Sequence, residues 1–335
     1  MPAAGDIVAP EVEIRAVGGL ETEVLEIFQA APRTPLRLVD DEGSAETIVV
    51  LPGNPGGVGF YVDFAVALGR ASSARVVVVG HASHSASTAS DRTLSLPDQV
   101  AHKLAFLRAE LAARPGARFA LVGHSVGAYM AAELARELPR SVVSVTGLMP
   151  TLINIGSTPR GQKLAPLFTR AGVFLVCALS FVLRVLLPRG ALRAIAARVL
   201  ERRSVARAAP SCVEAAVELV HERVAANALV LARTEMALIR EMRADTAAAL
   251  RRLGRRCALY FAAADGWNSS HDAEKLSALL PEARVSTCAE GHTHSFVVSH
   301  DSIGPMARVT ADLILRDSQP REGKRRARRH STPRR

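Results

Sequence analysis

The fold of this chain is decided by the stretch Leu121-Val122-Gly123-His124-Ser125-Val126-Gly127-Ala128. Residues 118–122 form a short apolar run typical of a strand, and residues 128–138 have the composition of a helix that ends before Pro139. A Gly-x-Ser-x-Gly pattern between a strand and a helix predicts a sharp turn that holds its serine clear of the sheet. Ser125 is therefore a candidate nucleophile. The alternative interpretation is a glycine-rich turn whose serine only caps the helix.

A serine nucleophile needs a base, and the base needs a carboxylate that orients it. With this type of turn, the acid and then the histidine are expected later in the chain. Residues 257–262 predict a buried strand that leads to Asp265, at the edge where parallel sheets bind ligands. The next strand-like run, 283–288, leads to His292 and His294. We choose His294 as the base because a helix-like run begins directly after it. His292 remains the alternative, and a simple Asx-type turn remains the alternative for Asp265.

Two N–H groups are needed to bind the negative charge that develops on the substrate oxygen. The first is predicted to be the backbone N–H of Val126, directly after the nucleophile. The second is expected from residues 52–57, Pro-Gly-Asn-Pro-Gly-Gly, which follow a buried strand. Asn54 is favoured as this donor because Pro55 has no N–H, and Gly56 is the second choice. A plain Pro/Gly turn is the alternative interpretation.

Strand-like and helix-like segments alternate along much of the chain. The predicted order is strand, strand, helix, strand, helix, strand up to residue 150, then a helical insert, then strand, helix, strand, helix. This alternation predicts an α/β fold with a mostly parallel sheet and helices on both faces. His81 and His84 follow the strand-like run 76–79 and so lie on the ligand edge. Because they precede the nucleophile, we expect them to line the pocket or to hydrogen-bond a loop.

Five segments together resemble the lipid droplet-associated hydrolase family. They are residues 51–61 (LPGNPGGVGFY), 99–107 (QVAHKLAFL), 123–129 (GHSVGAY), 265–267 (DGW) and 294–297 (HSFV). The first two are specific to the family, whereas many hydrolases share the serine turn. The resemblance covers about residues 46–300.

The resemblance implies an α/β-hydrolase fold, a serine lipid hydrolase, and residence on lipid droplets and the endoplasmic reticulum. It assigns the triad to Ser125, Asp265 and His294. One departure is Gly266, where the family carries Pro, although the carboxylate before it is kept. The preferred lipid does not follow from the resemblance.

The chain length fits one catalytic domain with additions. We expect residues 1–150 to form the first part of the hydrolase core, with the turn at 123–127. Residues 151–250 are expected to form a helical insert or lid, and residues 251–318 the second part of the core. The four cysteines lack metal-like spacing, which predicts small apolar side chains and a reducing compartment. No cofactor and no metal are expected.

Positive charge is concentrated in two parts of the chain. Residues 316–335 carry nine Lys/Arg against two acids, and residues 151–250 carry fourteen against seven, in a chain of net charge +10. The rest of the chain is therefore slightly acidic. Residues 319–335 contain no apolar side chain larger than those of alanine and proline, and we expect a disordered, solvated or membrane-surface tail. A nuclear or nucleic-acid role is disfavoured, because the tail has no aromatic residue to stack on bases.

The apolar run 171–187 is interrupted only by Arg184 and is flanked by cations. As a helix it spans about 25 Å, which is shorter than the roughly 30 Å hydrocarbon core of a bilayer. We therefore expect shallow insertion beside anionic headgroups. The predicted membrane contacts are Phe174, Leu175, Leu179, Phe181 and Arg184. The alternative is a lid helix that lines the acyl pocket, and both roles can coexist. Residues 215–243 predict one further surface lid helix.

These features predict a serine hydrolase of carboxylic-ester lipids. It is expected to act through an acyl-enzyme as a peripheral or monotopic protein on the cytosolic face of the lipid droplet or endoplasmic reticulum. One alternative is a membrane-surface scaffold of the same fold with little activity. Another is an acyltransferase that uses the same triad, since the hydration of the pocket decides the acceptor.

Overall fold

The computed structural model describes residues 10–28, 47–88, 90, 92–204 and 208–315. The basic tail predicted at 319–335 lies outside these residues. Eight strands form one sheet in the order β1-β2-β4-β3-β5-β6-β7-β8. They are β1 (Glu11–Val17), β2 (Leu20–Ile27), β3 (Thr47–Leu51), β4 (Arg75–Val79), β5 (Phe119–His124), β6 (Val142–Leu148), β7 (Cys257–Phe261) and β8 (Arg284–Thr287).

The sheet is mostly parallel, as the alternating elements predicted. Strands β3 to β8 all pair in parallel, and β3, β5, β6 and β7 are buried along their length because helices cover both faces. The sequence interpretation missed the hairpin of β1 and β2. These two strands pair antiparallel with each other, and β2 also pairs antiparallel with β4. Its turn is Gly18-Gly19, and β1 is largely exposed at the edge of the sheet.

The helices lie on the two faces of the sheet and in an insert between β6 and β7. They are α1 (Val62–Ser72), α2 (Leu96–Ala113), α3 (Val126–Glu137), α4 (Pro159–Leu164), α5 (Arg170–Leu186), α6 (Arg189–Ser204), α7 (Pro210–Glu218), α8 (Glu222–Leu238), α9 (Ala244–Leu253), α10 (Ser270–Leu279) and α11 (His300–Leu315). Apolar side chains of α2, α3, α9 and α10 fill the core on one face, and those of α1 and α11 fill it on the other. Helix α1 was not anticipated from the sequence.

Two predicted helices differ in the structure. The single helix expected over 215–243 is broken into α7 and α8 by residues 219–221, and α8 is not a surface helix. Its side chains Val224, Leu231 and Glu235 are buried because α8 packs between α5 and the body of the protein. The helix-like run after His294 is a short 3₁₀ turn, Phe296–Val298, and the α-helix begins only at residue 300.

Helix α5 carries the predicted apolar run and presents one side of it to solvent. Thr169 caps the helix, since its Oγ1 accepts a hydrogen bond from the N–H of Gly172 at 3.0 Å. Gly172 and Ser180 are buried where α5 packs on its neighbours. Large apolar side chains on the other side are exposed along the whole helix. The most exposed are Phe174, with a relative accessible surface of 71%, and Leu186, with 72%.

The apolar length of the insert falls short of a single membrane span. Among the described residues, no one helix is long and apolar enough to cross a membrane. Residues Pro159–Phe168 and Arg170–Leu186 pass such a test only as a pair, and the pair is bent by 75°.

Candidate active site

The turn after β5 holds Ser125 in a backbone conformation that few residues adopt. Its φ is 53° and its ψ is −122°, and side chains at positive φ are strained unless the surroundings hold them there. The surroundings do so through close backbone contacts. A Cβ at Gly123 would lie 2.3 Å from the carbonyl oxygen of Gly127, and a Cβ at Gly127 would lie 2.0 Å from that of Leu51. Both glycines of the pattern are therefore required for the turn to form.

The loops after β7 and β8 bring the predicted acid and base to this serine. Nε2 of His294 lies 3.0 Å from Oγ of Ser125, and Nδ1 lies 2.7 Å from Oδ2 of Asp265. A carboxylate only accepts hydrogen bonds, so Nδ1 of His294 carries the proton. In the neutral ring Nε2 is then the acceptor for the serine hydroxyl. This is the tautomer that can remove a proton from serine.

Asp265 is held ionised by the donors around it. Burial alone would raise the pKa of this carboxyl, but the hydrogen bond from His294 and two local ones hold the pKa below its ordinary value. The local donors are the N–H of Trp267 at 2.8 Å and Nδ2 of Asn268 at 3.1 Å. The hydrogen bond from Trp267 makes an Asx-type turn at Asp265. The same carboxylate therefore closes the turn and also contacts the candidate base His294.

His292, the alternative base, has partners other than Ser125. Its Nδ1 lies 3.1 Å from Oγ of Ser302, and its Nε2 lies 3.2 Å from a carboxylate oxygen of Glu290. Cys288, Glu290 and His292 form a group whose possible ligand atoms lie within 4.8 Å of one another and which could hold a metal ion. The group lies beside the candidate triad and shares no residue with it.

A chain of hydrogen bonds connects the loop 53–56 with the loop of the candidate base. Nε2–H of His124 donates to the carbonyl oxygen of His294 at 2.8 Å, so Nδ1 of this neutral ring accepts from the hydroxyl of Tyr61 at 2.6 Å. The Tyr61 oxygen in turn accepts from the N–H of Gly53 at 2.7 Å. Burial, together with the nearby His294, lowers the pKa of His124 to about 3, which keeps the ring neutral.

His81 and His84 support the same loop, as expected for histidines at this edge. Nδ1 of His84 donates to the carbonyl oxygen of Pro55, and the backbone N–H of His81 donates to that of Gly56 at 3.0 Å. Gly56 has a φ of +83°, and a Cβ there would lie 2.1 Å from the His81 ring. Only glycine fits at this position.

The family-specific segment 99–107 braces the strand end that carries these histidines. Lys103 is fully buried, and its Nζ donates to the carbonyl oxygen of Gly80 at 2.6 Å and lies 3.1 Å from Nδ1 of His102. Gln99 binds both the N–H and the carbonyl of Ala82 through its side-chain amide. The segment therefore has a structural role below the loop 53–56.

The two predicted oxyanion donors lie beside Ser125, and their role stays a prediction. Val126 is the first residue of α3, so its N–H has no acceptor within the helix. In the opposing loop, the N–H of Gly53 is used by Tyr61 and Pro55 has none, so the candidates are the N–H of Asn54, the first choice, and that of Gly56, the second. The side chain of Asn54 points elsewhere. Its Nδ2 donates to the carbonyl oxygen of Ala228 at 2.9 Å and to Oε1 of Glu235 at 3.0 Å, both on α8.

A cavity of about 790 Å³ opens onto Ser125 and His294 and is mostly apolar. Apolar walls come from the insert and from the turn before α1, and include Phe60, Phe168, Leu183, Val199, Val220 and Met236. Arg160 and Lys163 also line it. The side chain of Arg160 fills the space that a Cβ at position 266 would occupy. Glycine at position 266, where the sequence departs from the family pattern, therefore makes room for this cation in the cavity wall.

Sequence reasoning missed three residues of the site. His124 lies inside the quoted turn and Tyr61 inside a quoted segment, so both were within reach of a closer interpretation. Glu235 had no such signal. It is a buried carboxyl in the cavity wall, and burial raises its pKa to about 7, although the hydrogen bond from Asn54 opposes the shift.

The raised pKa of Glu235 predicts how stability depends on pH. Between the ordinary value of 4.5 and about 7, the folded protein holds a proton that the unfolded chain has lost, so stability falls as pH rises through this window. Glu235→Gln cannot ionise. From pH 4 to pH 8 we expect its unfolding free energy to gain about 3 kcal/mol relative to wild type.

Urea unfolding of the two proteins across this range measures the difference. Other titrating groups are common to both proteins and cancel. A difference that does not change with pH would show that Glu235 ionises at its ordinary pKa.

The order of these elements defines the class of protein. A serine on the turn after β5, an acid after β7 and a histidine after β8 of a mostly parallel sheet are the arrangement of an α/β hydrolase. Solved structures agree on the fold. A bacterial membrane phospholipase A superposes with a TM-score of 0.64 at 16% identity over 93% of this chain and 88% of its own. A haloalkane dehalogenase from Bradyrhizobium elkani gives 0.66 at 16% identity over 93% and 99%.

Within this class, the chain belongs to the lipid-droplet associated hydrolase family, whose sequence profile matches residues 44–297. The lipid droplet-associated hydrolase of Rattus norvegicus is 28% identical over 89% of this chain and 92% of its own length. That of Drosophila melanogaster is 27% identical over 80% and 89%. That of Homo sapiens is 30% identical over 45% of this chain and 50% of its own. The chain is therefore a hydrolase of this family, and the predicted family resemblance is confirmed.

Proposed function

We propose that the protein is a serine hydrolase that cleaves carboxylic-ester lipids through an acyl-enzyme on Ser125. The observation that carries the proposal is the hydrogen-bonded series from Ser125 Oγ to His294 Nε2 and from His294 Nδ1 to Asp265. A serine with a base and an oriented carboxylate is the arrangement that activates a hydroxyl for attack on a carbonyl carbon.

The mechanism follows from the protonation states of these groups. His294 Nε2 takes the hydroxyl proton as Ser125 Oγ attacks the ester carbonyl, and the N–H groups of Asn54 and Val126 bind the oxyanion. His294 then gives its proton to the leaving alcohol, and an acyl-enzyme remains. Water repeats the sequence, with His294 again as base, and releases the carboxylic acid. Asp265 keeps His294 in the required tautomer throughout.

The cavity supports a lipid rather than a small polar ester as substrate. It is large, mostly apolar and continuous with the nucleophile, so an acyl chain in it would be removed from water at about 0.8 kcal/mol for each CH₂. The names of the relatives refer to lipid droplets, which agrees with this chemistry.

Helix α5 supports a location at the lipid droplet or endoplasmic reticulum surface. Of the predicted contacts, Phe174, Leu175, Leu179 and Phe181 are exposed on one helix, as insertion into an interface requires. Leu183 of the same helix lines the cavity, which supports a lid role for α5 beside the proposed membrane contact. Arg184 differs from the others, because its guanidinium binds Glu222 through two hydrogen bonds of 3.0 and 3.1 Å.

Replacing both Leu175 and Leu179 with aspartate is expected to release the protein from lipid. Each lost leucine removes about 1.5–3 kcal/mol of burial, and each new carboxylate faces anionic headgroups. Binding to liposomes with anionic lipid, measured by flotation, should fall by at least about 100-fold, since about 1.4 kcal/mol is tenfold. Activity on a soluble short-chain ester should be largely kept.

The control places the same charges at exposed apolar residues of the edge strand, Val12→Asp with Ile14→Asp. This variant should bind liposomes as wild type does. Equal binding of the Leu175/Leu179 variant and this control would exclude α5 as the anchor.

A direct test of the activity uses purified protein, a soluble nitrophenyl ester and a fluorophosphonate probe. We expect hydrolysis and covalent labelling of Ser125, and neither after heat denaturation. Native protein that neither labels nor hydrolyses esters would contradict the proposal and favour a scaffold role.

A further inference from the structure

Within the described residues, the hydrogen bonds between helix α8 and the candidate oxyanion loop are made by the side chain of Asn54. Both N–H groups of its amide are used, one by the carbonyl oxygen of Ala228 and one by Oε1 of Glu235. Glu235 is buried in a mostly apolar wall and forms no ion pair among the described residues. Burying a carboxyl without a cation costs free energy unless hydrogen bonds compensate. We therefore asked what the contact of Glu235 with Asn54 does for the site.

The other hydrogen bonds of residues 53–56 within the described part of the chain come from the hydrolase core. Gly53 binds Tyr61, Pro55 binds His84, and Gly56 binds His81. The contacts of Pro55 and Gly56 use their carbonyl oxygens, and the N–H of Asn54, between Gly53 and Pro55, is the favoured candidate donor to the oxyanion. The side chain of the same residue is hydrogen-bonded to α8 of the insert. The position of this donor therefore depends on the position of α8.

We propose that Glu235 is a positioning residue that, with the Ala228 carbonyl, holds Asn54 so that its backbone N–H points at the oxyanion. This inference rests on the proposed function and deepens it. Oxyanion donors act only when their geometry is set before the reaction, and the loss of one donor costs about 10²–10³ in kcat in other enzymes. A loosened donor should cost part of that factor.

The same contact links the lipid-facing helix to the site. Helix α8 packs against α5, and Glu222 at the start of α8 binds Arg184 of α5. Movement of α5 at a lipid surface would be transmitted along α8 to Asn54. The insert therefore has a direct route to the oxyanion loop.

The test compares Glu235→Leu and Glu235→Gln in the full-length protein with a soluble nitrophenyl ester. Leucine removes the acceptor for Asn54, whereas glutamine keeps an oxygen at Oε1. We expect Glu235→Leu to lower kcat at least tenfold with KM within about twofold, and Glu235→Gln to restore most of kcat. Glu214→Leu makes the same change on α7, at a residue that binds Arg189 and Arg193 on the surface, and it should keep the wild-type kcat on this soluble ester.

Asn54→Ala supplies a second measurement if Glu235→Leu fails to fold. It keeps the backbone N–H but removes the tether, so it should lower kcat as Glu235→Leu does, and the double variant should show no further loss. Fluorophosphonate labelling of each variant should be slower but complete, because Ser125 and His294 are intact.

Three outcomes overturn the inference. The first is a wild-type kcat in both Glu235→Leu and Asn54→Ala. The second is a loss confined to KM. The third is an equal loss in Glu235→Leu and Glu235→Gln, which would assign the effect to the charge rather than to the hydrogen bond. A wild-type protein that does not label overturns the proposed function itself, and the inference with it. Labelled wild type with an unchanged Glu235→Leu overturns the inference alone.

Discussion

Ser125→Ala is expected to abolish fluorophosphonate labelling and to lower kcat for a soluble ester by a factor on the order of 10⁶. The Ser125 hydroxyl is the proposed nucleophile, since its Oγ lies 3.0 Å from Nε2 of His294. Alanine removes only the side-chain oxygen and leaves the backbone of the turn unchanged, so the close contacts at Gly123 and Gly127 remain. The protein should therefore stay folded, which circular dichroism and a thermal midpoint close to that of wild type would show.

Ser144→Ala is a matched control for this experiment. Ser144 is buried in β6, the strand next to β5, and its hydroxyl has no hydrogen-bond partner among the described residues. Its loss should leave labelling and kcat unchanged. Labelling of Ser125→Ala at the wild-type rate would mean that another residue is the nucleophile, and would end the assignment.

The turn at 123–127 and the order of acid and base could be predicted from the sequence because their signals are local or topological. Strict spacing of glycine and serine is imposed by backbone contacts of 2.0–2.3 Å that no other residue type allows. Asp265 and His294 are far from Ser125 in the chain. However, each follows a strand of a parallel sheet, and the ends of such strands meet at one edge.

Other features were not predictable in the same way, because tertiary packing decides them. Residues 219–221, Leu-Val-His, contain no glycine or proline to predict that α7 and α8 separate there. The separation follows from packing, since α7 packs on the turn Val58–Tyr61 while α8 packs on α5. The contact of Asn54 with Glu235 joins residues 181 positions apart and has no local signal. By contrast, the hairpin of β1 and β2 carried a signal that was missed, since paired glycines between alternating residues favour a hairpin turn.

The apolar run of α5 is a third case. Its composition predicts an apolar helix but not which side of the helix faces the cavity and which faces solvent. The sequence predicted an apolar helix that is too short to span a bilayer, and two interpretations of its role. The fold adds the placement of the side chains, with Leu183 in the cavity wall and Phe174 exposed to solvent. A helical pattern gives the faces of a helix, whereas the partner of each face depends on the rest of the chain.

His294→Ala should lower kcat nearly as much as Ser125→Ala, by several orders of magnitude, because members of a triad act as a unit. Without the imidazole, Ser125 has no acceptor for its proton, and Asp265 has no ring to orient. His292→Ala is the matched control, since it removes the same side chain two residues away in the same loop. It should cost no more than about fivefold, because Nδ1 of His292 lies 3.1 Å from Oγ of Ser302 and its Nε2 lies 3.2 Å from a Glu290 oxygen, so neither nitrogen is directed at the nucleophile.

The pair of histidine variants also separates the base from the fold of its loop. The carbonyl oxygen of His294, which binds His124, is backbone and survives the change to alanine. The chain of hydrogen bonds to Tyr61 and Gly53 should therefore persist, and so should the thermal midpoint. Addition of imidazole to His294→Ala should restore part of kcat, because a free base can occupy the vacated space between Ser125 and Asp265. An inactive His292→Ala beside an active His294→Ala would reverse the assignment of the base. Equal losses without rescue would mean that the loop, and not the proton transfer, had been disrupted.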